Sequence, residues 1–183
     1  MTAQRPAGGQ DHPTIPSKNR LIGPEELTEP QTKAALAYWN ATRGDRTMPS
    51  PADIDPVEIP RLLACLTLIE VLDEIPPDFL FRIQGETARM VLGQNRMGKR
   101  LSALKDMLGP AYAQSYAHYS SILNEKRPRL VVSSLQALSR KLYRTEAAYL
   151  PLSRDGETVH RILVCIGILG RPEDCYASST QIL

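Results

Sequence analysis

The chain has 183 residues, 42% of them apolar and 23% charged, an ordinary globular composition that lets one domain bury roughly 70% of the surface its unfolded chain exposes. A net charge of +2, without the dense basic stripe a phosphate backbone demands, argues against a nucleic-acid partner. Cys65, Cys165 and Cys175 form no CxxC pair, and no apolar run approaches the ~18 residues of a membrane span. A disulfide framework, a zinc site and a membrane partner are therefore not expected, and reduced thiols fit a cytoplasmic protein.

Residues 1–22 hold Pro6, Gly8, Gly9, Pro13 and Pro16 among polar neighbours, too little apolar surface to offset the entropy of ordering them, and read as a flexible tail. Thr28, Pro30 and Gln31 make a capping-box-like start and Gly44 a stop, which predicts a helix over 29–42 with Ala35, Tyr38 and Trp39 on its apolar stripe. Trp39 is the only tryptophan, so its ring is expected to pack either into the core or, with Tyr38, against a second subunit.

Prolines at 49, 51, 56 and 60 then allow only short turns, with Asp55 capping a one-turn helix that ends at Pro60. Asp53 and Asp55 are better explained as cap and turn acceptors than as a catalytic pair. Leu66–Leu72 and Phe79–Gln84 flank the turn Pro76-Pro77-Asp78 and predict a β-hairpin, with Phe79, Phe81 and Ile83 alternating onto one apolar face.

Short helical stretches follow around Ala88–Leu92 and Leu101–Leu108, separated by turns at Gly93 and Gly98. Pro110–Lys126 has the strongest helical pattern, with Tyr112, Tyr116, Tyr119 and Leu123 on one face. Three apolar segments come next, 130–135, 143–152 and 159–169, the last two joined by a turn at Asp155-Gly156. Strand runs split by a block of helices point to an α+β fold with an antiparallel sheet.

That order resembles the PAS fold. The resemblance is carried more specifically by Arg46-x-x-Pro49-Ser50-x-x-Asp53-Ile54-Asp55-Pro56-x-x-Ile59-Pro60-x-Leu62-Leu63, by Phe81-Arg82-Ile83-x-Gly85, by Leu150-Pro151-Leu152 and by Tyr38-Trp39 ahead of Arg43-Gly44. Over residues 30–170 the chain is similar to a PAS-like family common in alphaproteobacteria and long described as a domain of unknown function.

The resemblance implies a five-stranded antiparallel sheet with helices on one face and an extra N-terminal helix, the domain spanning 23–170 and a C-terminal tail 171–183. It also implies a sensory or regulatory module that binds a small-molecule ligand or a signalling protein partner, pairs as a homodimer and has no enzymatic activity. No cofactor is assigned. The alternative is a structural or adaptor protein whose core is filled by its own side chains.

Other chemistry finds little support. The three histidines, His12, His118 and His160, accompany no HExxH, P-loop, GxGxxG or nucleophile-elbow motif. Haem-binding PAS sensors carry an iron-ligating histidine where His118 falls, but His118 lies about 100° of helix away from Tyr119 on the apolar face. Flavin-photosensing PAS domains resemble one another around Asn-Cys-Arg; the comparable Gln94-Asn95-Arg96-Met97 has no cysteine, so no photoadduct can form there. Cys65 and Cys165 are expected as small buried hydrophobes. A pocket between sheet and helices would be lined by Phe81, Ile83, Tyr112, Tyr116, Tyr119, Leu150 and Leu152, with plain core packing the simpler outcome for the same set.

Overall fold

The computed structural model describes residues 19–136 and 142–170. Positions 1–18 and 171–183, which contain His12, Cys175 and most of both expected tails, lie outside that range. The strands are β1 (Arg20–Ile22), β2 (Leu66–Leu72), β3 (Asp78–Gln84), β4 (Arg129–Gln136), β5 (Leu142–Leu152) and β6 (Arg161–Gly170). The helices are α1 (Pro30–Arg43), α2 (Glu86–Leu92), α3 (Lys105–Leu108) and α4 (Pro110–Glu125), with short 3-10 turns at Pro51–Asp53, Pro60–Cys65 and Ser102–Leu104.

All six strands join one antiparallel sheet in the order β1-β4-β5-β6-β2-β3. The expected sheet thus gains a strand. Arg20–Ile22, anticipated as tail, pairs with Leu130–Val132 and covers the otherwise open edge of β4. A three-residue strand is too short for any alternating pattern to announce it.

The two sheet faces are covered by different helices. Helix α1 packs across β5 and β6 on one face, called outer below, whereas α2 and α4 lie on the other, the inner face, where His118 and Tyr119 of α4 meet Tyr149 of β5. The strand registers assign side chains to faces. Glu146, Ala148, Leu150 and Leu152 of β5 look outward, with Cys165 and Leu163 of β6 beside them; Ala147 and Tyr149 look inward.

The hairpin β2–β3 carries a bulge. Leu68 pairs with Ile83 but Ile69 pairs with Phe81, leaving Arg82 as the extra residue. Phe79 and Phe81 therefore point inward and are buried, while Ile83 is turned to the outer face and left 53% exposed. The expected alternation of all three onto one face fails at that bulge, and Gln84 takes the inward position instead.

Local signals account for several joints. Ser50 and Asp53 cap each other's backbone at the 3-10 turn beginning at Pro51, and Asp55 Oδ1 accepts from Val57 N at 2.9 Å. Asp53 and Asp55 are turn acceptors, as their spacing predicts: a single turn follows Asp55, with Glu58 N donating to Asp55 O at 3.1 Å and Ile59 N to Pro56 O at 3.3 Å. The 3-10 turns begin on either side of it at Pro51 and Pro60, proline suiting the first helical position. Among the described residues no helix is long and apolar enough to cross a membrane.

Candidate functional site

The inner face gathers most of the aromatic residues. Tyr112, Tyr116 and Tyr119 climb one side of α4, and Phe79 meets Tyr116 at 5.8 Å and Tyr119 at 5.1 Å between ring centroids. Tyr119 also faces Tyr149 at 6.2 Å, and His118 sits edge-on to Tyr149 at 4.1 Å. The helical spacing of the tyrosines thus foretells a real cluster with Phe81 beside it. His118 lies closer to the core than its helical angle suggests, because Tyr149 reaches up from β5 to meet it.

Leu150 and Leu152, expected in the same pocket, are buried on the opposite face. Strand β5 is covered on both sides, so both alternating sets are apolar and the pattern does not distinguish them. Ile83 also leaves the cluster, turned out by the bulge.

Into this apolar and aromatic surrounding projects Arg96, from the loop after α2. It is 6% exposed, and its guanidinium lies over Phe81 at 5.7 Å from the ring centroid. Among the described residues no carboxylate pairs with it. With the Gln94 amide oriented to satisfy both groups, its oxygen accepts from Arg96 Nε and Nη2 at 3.2 Å.

Burial weakens Arg96's hold on its proton, and the neighbouring Tyr119 and Tyr149 act in the other direction. Both phenols are pushed above the usual tyrosine range, chiefly by burial. His118 is pushed down to about 4 by burial, with Arg129 adding to the effect and Glu125 opposing it. Its Nε2 is buried without a hydrogen-bond partner. At neutral pH the cluster therefore carries one positive charge, on Arg96, surrounded by neutral donors.

Nothing in the local sequence marks Arg96 as buried; a charged residue beside Asn95 and Gly98 reads as a solvated turn. Tyr149 likewise gave no sign of its face, for the same two-sided burial of β5.

The outer face holds Tyr38 and Trp39. Trp39 is 2% exposed and donates its indole N–H to the Pro151 carbonyl at 2.8 Å. Tyr38 accepts from Asp55 N at 3.0 Å and donates to Asp53 O at 3.4 Å. The polar atoms of both side chains are thus engaged within the chain, Trp39 being buried and Tyr38 half-buried. Cys65 and Cys165 are free and buried; Cys165 is pushed up to about 12 by burial, with smaller contributions from Cys65 and Glu146. An open groove of about 380 Å³ lies elsewhere, between Ser50-Pro51-Ala52 and Arg154 and Arg161.

A six-stranded antiparallel sheet cupping short helices and one longer helix has a counterpart among known families: the model of the PAS domain matches residues 27–167. The chain belongs to the PAS domain family. PAS domains are sensory and regulatory modules, and typically not catalytic ones. Among solved structures, one described as an RNA-binding light-oxygen-voltage receptor is similar to this PAS domain with 12% sequence identity and a TM-score of 0.46, over 89% of this chain and 43% of that one. The chain thus spans less than half the length of that receptor. No curated protein matches it.

Proposed function

We propose that this PAS domain is a non-catalytic cytoplasmic sensor that takes a small molecule between the inner sheet face and α2 and α4, and relays occupancy to a second copy of itself or a signalling partner. One observation carries the reading: the Arg96 guanidinium, buried with no acidic partner among the described residues, and His118 Nε2, buried with no hydrogen-bond partner, sit against an otherwise aromatic core. Buried polar groups that lack a full set of partners are unfavourable for a fold, and a bound ligand is one way of completing them. Family membership supports the sensory role in general terms.

The half-buried Tyr38 on α1 is the candidate for the relay surface, while Trp39 beside it is buried within the chain. Native mass spectrometry of the protein purified from its own host, compared with the denatured mass, tests ligand retention. A retained or titratable small molecule is the expected result. Its absence across a metabolite panel, in native spectra and in titration, would leave a structural or adaptor protein with a filled core. Light scattering at micromolar concentration checks the pairing, for which a dimer mass is expected and a monomer mass would refute it.

A further inference from the structure

We infer that the ligand of this domain is a singly charged carboxylate with an apolar or aromatic body, its carboxylate bound to the guanidinium of Arg96; this rests on the inner face being the ligand site proposed above. Arg96 is one of very few charged residues in the interior, and among the described residues it has no acidic partner. Withdrawing a guanidinium from water is strongly unfavourable unless an anion compensates it. Phe81 below the guanidinium and the amide of Gln94 compensate only in part.

The surroundings select the class of anion. A guanidinium presents a planar fork that matches a carboxylate with two parallel hydrogen bonds. The groups around it add donors but no charge: the phenols of Tyr119 and Tyr149 stay protonated, and the His118 imidazole stays neutral at physiological pH. One cation balances one negative charge. A phosphate monoester, carrying nearly two at neutral pH, would leave charge uncompensated in a low-dielectric site. The rest of the ligand would meet Phe79, Phe81 and Tyr116, which favours an apolar or aromatic body.

The test compares benzoate, phenylacetate and octanoate with their neutral amides and with phenyl phosphate, using calorimetry and thermal shift on the full chain and on Arg96→Met. The expected result is that at least one carboxylate binds and raises Tm while its amide and phenyl phosphate do not. Arg96→Met should lose that binding by roughly tenfold to a hundredfold, the loss of a charge-assisted pair. In the absence of ligand Arg96→Met should fold with a Tm equal to or above the parent, because an uncompensated buried charge has been replaced by an apolar chain of similar length.

Equal binding of acid and amide, or binding of a carboxylate undiminished in Arg96→Met, overturns the anion while leaving a ligand site. A large fall in Tm for ligand-free Arg96→Met overturns it as well, by making Arg96 a structural element. Binding of no probe also overturns it, and the native mass measurement above then decides separately whether the inner face takes any ligand.

Discussion

Glu146 on β5 reaches across to the start of α1, where its Oε2 accepts from both the backbone N–H of Thr28, at 2.8 Å, and the Thr28 hydroxyl, at 3.0 Å. Its other oxygen accepts from Glu29 N at 3.1 Å and from the Thr32 hydroxyl. A fully buried sheet carboxylate therefore caps α1 from 118 residues away, doing what Thr28 and Gln31 do not do locally. Burial pushes its pKa up, but the hydrogen bonds from Thr32, Thr28 and Glu29 outweigh this and hold it below the ordinary value.

Glu146→Ala should destabilise the domain by about 2–4 kcal/mol, since it strands several buried donors at once. Urea denaturation measures the loss; a change below about 0.5 kcal/mol would show that α1 is held by its apolar face alone. The sign with pH follows from the depressed native pKa. The contribution of Glu146 is present above the unfolded value of 4.5 and disappears as pH falls through the native one. The difference between parent and variant should therefore shrink in acid.

His118 sets a second, higher pH dependence. Its native pKa is about 4 against an ordinary value of 6.5, so between these the unfolded chain binds more protons than the native one. Stability contributed by neutral His118 is present above pH 6.5 and is lost as pH falls toward 4, by at most about 3 kcal/mol. His118→Phe keeps a ring against Tyr149 and removes the titration. Its stability curve between pH 4 and 7 should be flatter than the parent's, and parallel curves would contradict the buried placement of the imidazole.

Trp39 offers a direct optical check on the packing of α1. As the only tryptophan, buried against β5 and hydrogen-bonded to Pro151, it should emit at short wavelength and resist acrylamide quenching. Trp39→Phe should lose about 1–3 kcal/mol, through the unpaired Pro151 carbonyl and the smaller ring. Red-shifted, readily quenched emission in the folded protein would place the indole in solvent instead.

Gly85 joins β3 to α2 with no room for a side chain. A Cβ there would lie 2.4 Å from the Ala64 carbonyl oxygen and 2.7 Å from that of Leu66, while Gly85 N already donates to Leu66 O at 2.7 Å. Both obstacles are backbone, so Gly85→Ala has to separate α2 from β2, at about 1–3 kcal/mol. Thermal denaturation checks this; an unchanged Tm would mean that the junction yields freely.

Much of the fold was legible in advance because it depends on local patterning. The tyrosine spacing marked α4 as a helix with an aromatic face, prolines confined residues 49–60 to short turns, and Asp155-Gly156 marked the last hairpin. At that turn Gly156 adopts φ +80° and Asp155 Oδ1 accepts from Glu157 N and Thr158 N at 2.8 and 2.7 Å, all within a few residues of one another.

What the tertiary structure alone decided are relationships between distant segments. Leu150 and Leu152 could be placed on either side of β5, since a strand covered on both faces is apolar at every position; only the packing of α1 assigned them outward. Ile83 followed a sound alternation until the bulge at Arg82 reversed it, and a bulge is set by the partner strand. Nothing in the sequence singles out Arg96 or Glu146 as buried, because burying an ionised group depends on which partners the fold brings to it. Sequence determined the longer helices and strands, through short-range sterics and periodicity; the folded chain determined that Arg20–Ile22 becomes an edge strand, which charges are buried, and what they face.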